Sequence, residues 1–153
     1  YGLQHRKPIL TETMTLLYLF SDWGLLALRL AVGVILIAHG WPKIKNLKAN
    51  AGGFSAMGFK PGVFWGTLAA IVELFGGLAL LAGVYVQPFA ILVAGQFLVI
   101  SVWKIARRQP FKMSVAEGFV SGLEFDVLIL AAVLALLTLG AGMFSLDIFL
   151  RWL

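Results

Sequence analysis

The chain has 153 residues, 61% of them hydrophobic and 12% charged, with a formal net charge of +5. A soluble domain carries about a quarter charged residues, so this composition places the chain in the membrane class. There the positions of Lys and Arg set topology, and the net charge is no nucleic-acid signal. The absence of cysteine excludes disulfides, thiol redox chemistry and cysteine-ligated iron–sulfur clusters.

Residues 1–13 (YGLQHRKPILTET) differ in character from the rest of the chain, and Met14 is a candidate start. Residues 1–22 are read as a leader, in which LLYLF at 16–20 is too short to span and suits an interfacial lead-in. No small-residue cleavage site comes after the first apolar segment, so no cleavable signal peptide is evident. A bilayer core needs about 20 apolar residues in a helix, and four segments meet that need within 23–153. The first runs from about Trp23 to Gly40, with Asp22 as its expected N-cap. The second runs from about Gly62 to Val84 behind Pro61, and the third from about Gln87 to Ile105 with Pro88 in its first turn. The fourth lies within about Val115 to Leu139, where Ser114 and Glu117 have the spacing of a capping box. No strand alternation competes. The connections between spans predict an all-α, integral membrane, antiparallel four-helix bundle.

The first linker holds Lys43, Lys45, Lys48 and Lys60, and the third holds Lys104, Arg107, Arg108 and Lys112, while the tight turn at VYVQ holds no charge. By the positive-inside rule both basic linkers face the cytoplasm and both termini face out. Trp23, Trp41, Trp65, Trp103 and Trp152 fall at span ends, as an interfacial belt does.

Charges within such spans are rare and mark either function or a packed interior. Arg29 lies about four residues inside the outer end of the first span. Glu73 and Gln96 lie near the middles of the second and third, and Glu124 and Asp126 lie in the fourth. Helical spacing puts Arg29 with Gly33 and Gly40, Glu73 with Gly66, Ala70 and Gly77, and Glu124 with Ser121, Ala131 and Ala135. Small residues line helix contacts in membranes, so these three charges are expected to face the interior. Asp126 shares a stripe with Ile129, Leu130, Val133 and Leu137 and is expected to face lipid. The candidate site is therefore a buried cluster of Arg29, Glu73 and Glu124, with Gln96 at hand and His39 and Lys43 at the cytoplasmic mouth. A plainer reading makes Arg29–Glu73 a structural ion pair, His39 an interfacial hydrogen-bonding residue and Lys43 a snorkelling anchor.

The stretch LRLAVGVILIAHGWPK resembles the opening helix of DoxX-family membrane proteins, with an Arg near its start and His-Gly-x-x-Lys at its end. GFKPG, ELFGGLALLAG and GLEFDVLILAAVLALLTLGAGMFSLD resemble, in order, the family's lead into its second helix, its Glu-x-x-Gly-Gly helix and its last helix. The likeness spans about Leu28 to Asp147. It implies a bacterial or archaeal-type plasma-membrane protein of four helices. It also implies a subunit of quinone-linked systems such as thiosulfate:quinone oxidoreductase or a terminal quinol oxidase. By motif it carries interest to Arg29, His39, Lys43, Glu73 and Glu124, and to Ser145 and Asp147 in the terminal motif. There Met143 stands where an aromatic or basic residue is commoner.

The chain's own redox equipment is small. Its two histidines are His5, in the leader, and His39, and it has no cysteine, so neither bis-histidine haem within the membrane nor an iron–sulfur cluster is expected on this chain alone. No metal-ligand cluster, nucleotide loop or nucleophile–base pair is present in the sequence, so no catalytic residue is assigned. A quinone headgroup would find hydrogen-bond partners in Arg29, Glu73, Glu124, His39 and Gln96, and the carboxylates would relay protons. Three readings are open. The first is a membrane subunit of a quinone-linked oxidoreductase complex, working with other subunits and not catalytic alone. The second is a non-catalytic assembly or anchoring subunit. The third is a small proton-coupled transporter, the least favoured because no inverted repeat or broken helix is visible.

Overall fold

A computed structural model describes residues 9–112 and 122–150, and among these the only regular structure is helical. The helices are α1 (Ile9–Lys45), α2 (Leu47–Ala56), α3 (Gly62–Ala82), α4 (Val86–Ala106), α5 (Leu123–Leu139) and α6 (Leu146–Leu150). Three are long and apolar enough to cross a membrane: the Phe20–Lys45 part of α1, α3 and α4. The described part of the fourth, α5, is shorter at 17 residues, and the expected capping box of Ser114 and Glu117 lies outside the described residues.

Both edges of the first span differ from expectation. α1 is one continuous helix of 37 residues that passes Gly40 and carries Pro42 in its last turns. Asp22 therefore does not cap a helix; it lies within α1, and its Oδ1 accepts from the Met143 backbone N–H at 2.8 Å. The first linker contains the unexpected α2. Its cap is Asn46, whose side chain accepts from the Ala49 N–H at 3.1 Å. Ala51 and Phe54 are the residues α2 buries, against the start of α3. There Gly62 leaves no room for a Cβ beside Ala51, one on Gly66 would lie a tight 3.3 Å from Ala51 Cα, and Asn50 Nδ2 donates to the Gly66 carbonyl at 2.6 Å.

Contacts along the helices give the packing order. Gly33 faces Gly77 and Leu81, while Gly40 faces Glu73 and Leu74, so α1 and α3 run antiparallel. Gly76 meets Phe89 and Val93 across the tight turn to α4. Gln87 Nε2 donates to the Leu137 carbonyl at 3.0 Å, and Lys104 meets Asp126, so α4 and α5 are antiparallel as well. The turn between α3 and α4 uses Gly83 at φ 69° and Tyr85 at φ 48°, two left-handed residues in three. Val32, Leu36, Leu80, Val93, Val133 and Leu136 fill the centre. Large apolar side chains also point outward all round, among them Val34, Phe75, Leu98, Val102, Leu128 and Leu134. A surface of that kind suits hydrocarbon and not water.

The inward face of α5 is the reverse of the expected one. Asp126, Ile129, Val133 and Leu136 are buried, Ala131 is exposed, and Glu124 and Ala135 are only half-buried. Branched side chains fill this interior better than alanines do, and the charge of Asp126 is tolerated there because Lys104 meets it.

The α1–α3 contact depends on absent side chains. A Cβ on Gly77 would lie 2.8 Å from both the Gly33 carbonyl oxygen and Ile37 Cγ1, and 3.0 Å from Ile37 N. Gly77→Val is therefore expected to destabilise the fold by at least ~1–3 kcal/mol, visible as a lower Tm by circular dichroism in detergent. Gly24→Ala, where a Cβ meets nothing within 4 Å, is expected to be neutral or slightly stabilising.

Candidate functional site

α1, α2, α3, α4 and α5 surround one cavity of about 1020 Å³. At its floor lies Glu73, 3% exposed in the middle of α3. An isolated carboxylate there would be strongly unfavourable, and three hydrogen bonds hold it. Lys43 Nζ donates to both carboxylate oxygens, at 2.5 Å (Oε1) and 2.6 Å (Oε2). Gln96 Nε2 donates to Oε1 at 2.6 Å. The three side chains come from α1, α3 and α4, so the network ties three helices at one point. The buried Oε1 of Gln96 has no hydrogen-bond partner.

A second ion pair stands in the same cavity. Lys104 Nζ lies 2.5 Å from Asp126 Oδ2, both side chains less than a tenth exposed, and it donates to the Gly122 carbonyl at 3.3 Å. Glu124 and His39 also line the cavity, and the His39 ring lies 5.1 Å from that of Phe125. Two lysines thus face three carboxylates, with His39 as a further titratable group. Phe54, Met57, Phe97, Ile100, Phe125 and Leu128 supply apolar walls. Such a chamber suits a ligand with an apolar body and a few hydrogen-bonding atoms. Its carboxylates and imidazole are groups able to hold or pass protons.

Of the expected site residues, the structure brings together His39, Lys43, Glu73, Gln96 and Glu124. Arg29 stands apart. The expected Arg29–Glu73 pair is replaced by Lys43–Glu73, because the antiparallel register sets Glu73 opposite Gly40. Arg29, 1% exposed, instead donates to the carbonyls of Ala141 at 2.5 Å and Phe144 at 2.7 Å. It holds the segment after α5, whose Asp147 accepts from the N–H groups of Tyr85 at 2.6 Å and Val86 at 3.1 Å. Ser145 Oγ closes that segment by donating to the Gly142 carbonyl at 2.9 Å. The terminal motif and Arg29 are thus a clasp joining α1, the α3–α4 turn and the end of α5.

Lys104 and Asp126 are the functional candidates that sequence reading passes over. Lys104 reads as a linker charge and Asp126 as lipid-facing. The signal for Lys104 is its spacing: Ala90, Ala94, Phe97, Ser101 and Lys104 form one buried stripe of α4. Of the tryptophans, Trp23 packs on Phe144 with ring centroids 4.5 Å apart, and Trp103 Nε1 donates to the Met57 carbonyl at 2.9 Å. Lys45 and Arg107 stand over the rings of Trp41 and Trp103, and Trp152 lies outside the described residues.

Breaking the Lys104–Asp126 pair differs from replacing it. Lys104→Met leaves Asp126 buried without its cation and is expected to destabilise by ~3–5 kcal/mol, whereas Lys104→Met with Asp126→Leu should recover most of that loss. Thermal unfolding of the three proteins in one detergent checks this. Equal stability of the single variant and the wild type would mean that the pair is solvated.

The DoxX family profile matches residues 24–105, from α1 through nearly all of α4. Inner membrane protein YqjF of Escherichia coli (strain K12) is 32% identical over 129 residues, which cover 83% of this chain and 92% of that relative. No solved structure matches. The chain therefore belongs to the DoxX family of membrane proteins.

Proposed function

We propose that this protein is a bacterial inner-membrane subunit of a quinone-linked oxidoreductase complex, with the quinone headgroup seated over the Lys43–Glu73–Gln96 network. That network, on the floor of a cavity with mostly apolar walls, carries the reading. Lys43 and His39 are donors for carbonyl oxygens, and the unpartnered Oε1 of Gln96 is an acceptor for the hydroxyl of a reduced headgroup. A bound quinone supplies two-electron, two-proton redox chemistry. The chain's own residues bind and orient it, with Glu73, Glu124, Asp126 and His39 placed to hold or pass its protons. Electrons come from partner subunits, since His39 is the one histidine at the site and cannot hold a haem in bis-histidine fashion. Binding of a tailless benzoquinone, ubiquinone-0, to the protein in nanodiscs tests this. Saturable binding is expected, weakened about tenfold or more by Lys43→Met and by Gln96→Leu, and unaltered by Arg29→Gln at a temperature where that variant is folded. No saturable binding would leave the assembly or anchoring role, which the two cross-helix ion pairs also suit.

In the same reading α5 crosses the membrane as the fourth span of an antiparallel bundle, both basic linkers are cytoplasmic and both termini face out. The Trp103–Met57 hydrogen bond supports this by bringing the first linker to the end of α4, where the other basic linker begins. The chain has no cysteine, so introduced thiols report on a clean background. Met143→Cys is expected to react with an impermeant maleimide in intact spheroplasts, and Lys60→Cys only after permeabilisation. The opposite pattern would invert the topology.

A further inference from the structure

We infer that the ligand of the polar cavity is an amphiphile whose apolar tail leaves sideways, between α3 and α4, through a groove at Gly95; this rests on the headgroup site proposed above. A second cavity of about 290 Å³ lies there. Trp65 and Leu68 of α3 and Ile91, Leu92 and Val99 of α4 line it, with Phe59 from the segment joining α2 to α3. Apart from Gln96, its walls are apolar. Leu68, Ile91, Leu92 and Val99 are all exposed on the outer surface, so the groove opens toward the side that lipid would cover.

Three observations connect this groove to the polar chamber. Phe54, Gln96 and Ile100 line both cavities. Gln96 is the polar residue where they meet, and its amide reaches Glu73 at 2.6 Å. A headgroup bonded to Gln96 therefore sits at the inner opening of the groove. The third observation is Gly95. Glycine is disfavoured in a helix interior, and neighbouring Gly76 has a packing reason, since a Cβ there would meet Val93 at 3.0 Å. Gly95 has none: a Cβ would meet nothing within 4 Å. It lies on one stripe with Ile91 and Val99, and its missing side chain is what leaves the groove open. The occupant is the tail of the molecule whose head is in the chamber, because the two cavities abut at Phe54, Gln96 and Ile100 and the groove leads from there toward the lipid face.

Gly95→Phe places a ring in the groove from a position where the Cβ itself meets nothing, and Val99→Trp narrows it one turn away. Each is compared with wild type and with Leu134→Phe, an exposed position on α5 outside both cavities. Two probes share one headgroup: decylubiquinone, which carries an alkyl tail, and ubiquinone-0, which does not. Binding is measured in identical nanodiscs, so that partitioning of the tailed probe into lipid cancels between variants, and folding is checked by thermal melting. The expected result is that Gly95→Phe and Val99→Trp weaken decylubiquinone about tenfold or more, the size of a steric clash. Ubiquinone-0 stays within about twofold of wild type, and Leu134→Phe changes neither. Unchanged decylubiquinone binding in both groove variants would overturn the inference, placing the tail in the chamber mouth and ordinary bilayer lipid in the groove. Equal weakening of both probes by both variants would overturn it too, since the groove would then act only through the headgroup site. Failure of the wild type to bind either probe would instead refute the quinone reading, and this inference with it.

Discussion

A single carboxylate organises one half of this molecule. Glu73 is 3% exposed within an otherwise apolar helix, where an unpaired charge would be far too unfavourable to persist. Its hydrogen bonds come from Lys43 on α1 and Gln96 on α4, so satisfying one charge specifies the mutual register of three helices. Lys43 reaches it only because α1 does not stop at Gly40. Proline removes the N–H that would have bonded the Ala38 carbonyl, yet α1 continues through Pro42 to Lys45. Gly40 lets the two backbones meet: a Cβ there would lie 2.6 Å from Leu74 N. His-Gly-Trp-Pro-Lys is thus a docking surface for α3, with glycine at the contact and lysine one turn beyond it, and not a helix terminus.

Arg29 serves the opposite end of the molecule. Arg29 and Lys43 are 14 positions apart in α1, about 21 Å at helical rise, which no side chain bridges. Arg29 meets backbone carbonyls left without helical partners where α5 gives way to the turn at 140–145. Gly140 and Gly142 there take φ values of 83° and 74°, so the chain doubles back sharply enough to present those carbonyls to one guanidinium. Asp147 completes the clasp by accepting from two N–H groups at the start of α4, where a carboxylate also complements the helix dipole. A clasped end and a chambered end are the consequence.

Much of this is legible in the sequence, and the exceptions have physical causes. The apolar spans, the small-residue faces of α1 and α3 and the company of His39, Lys43, Glu73, Gln96 and Glu124 all follow from length and spacing. The partner of Glu73 does not. Taking the first span to end at Gly40 leaves Lys43 as an anchor at the mouth, and so assigns Glu73 to Arg29. α2 is hidden because a short, glycine-bearing and lysine-flanked segment resembles a loop until α3 offers Gly62 and Gly66 for it to pack on. The face of α5 is misread because the rule that small residues mark helix contacts holds for α1 and α3 but not here. Ile129, Val133 and Leu136 fill the interior, and Ala131 lies outside. Lys104 shows the same limit from the other side: near the end of a span, one lysine satisfies the positive-inside pattern and a buried ion pair equally well.

The division of the interior into a polar chamber and an apolar groove follows from the solvent. Lipid tails are as apolar as leucine, so moving an alkyl chain from the bilayer into a groove yields little of the hydrophobic free energy that the same burial yields from water. Selection of a lipid-soluble molecule must then come from polar contacts that bulk lipid lacks, and from a shape that lets the tail remain in hydrocarbon while the head reaches them. Lys43 and Lys104, each held by a carboxylate, offer such contacts without exposing a bare charge, which hydrocarbon would penalise. Gln96 is suited to the boundary between the two regions. As an uncharged amide it tolerates an apolar groove on one side while bonding Glu73 on the other, and a charge at that position would close the groove to any apolar chain.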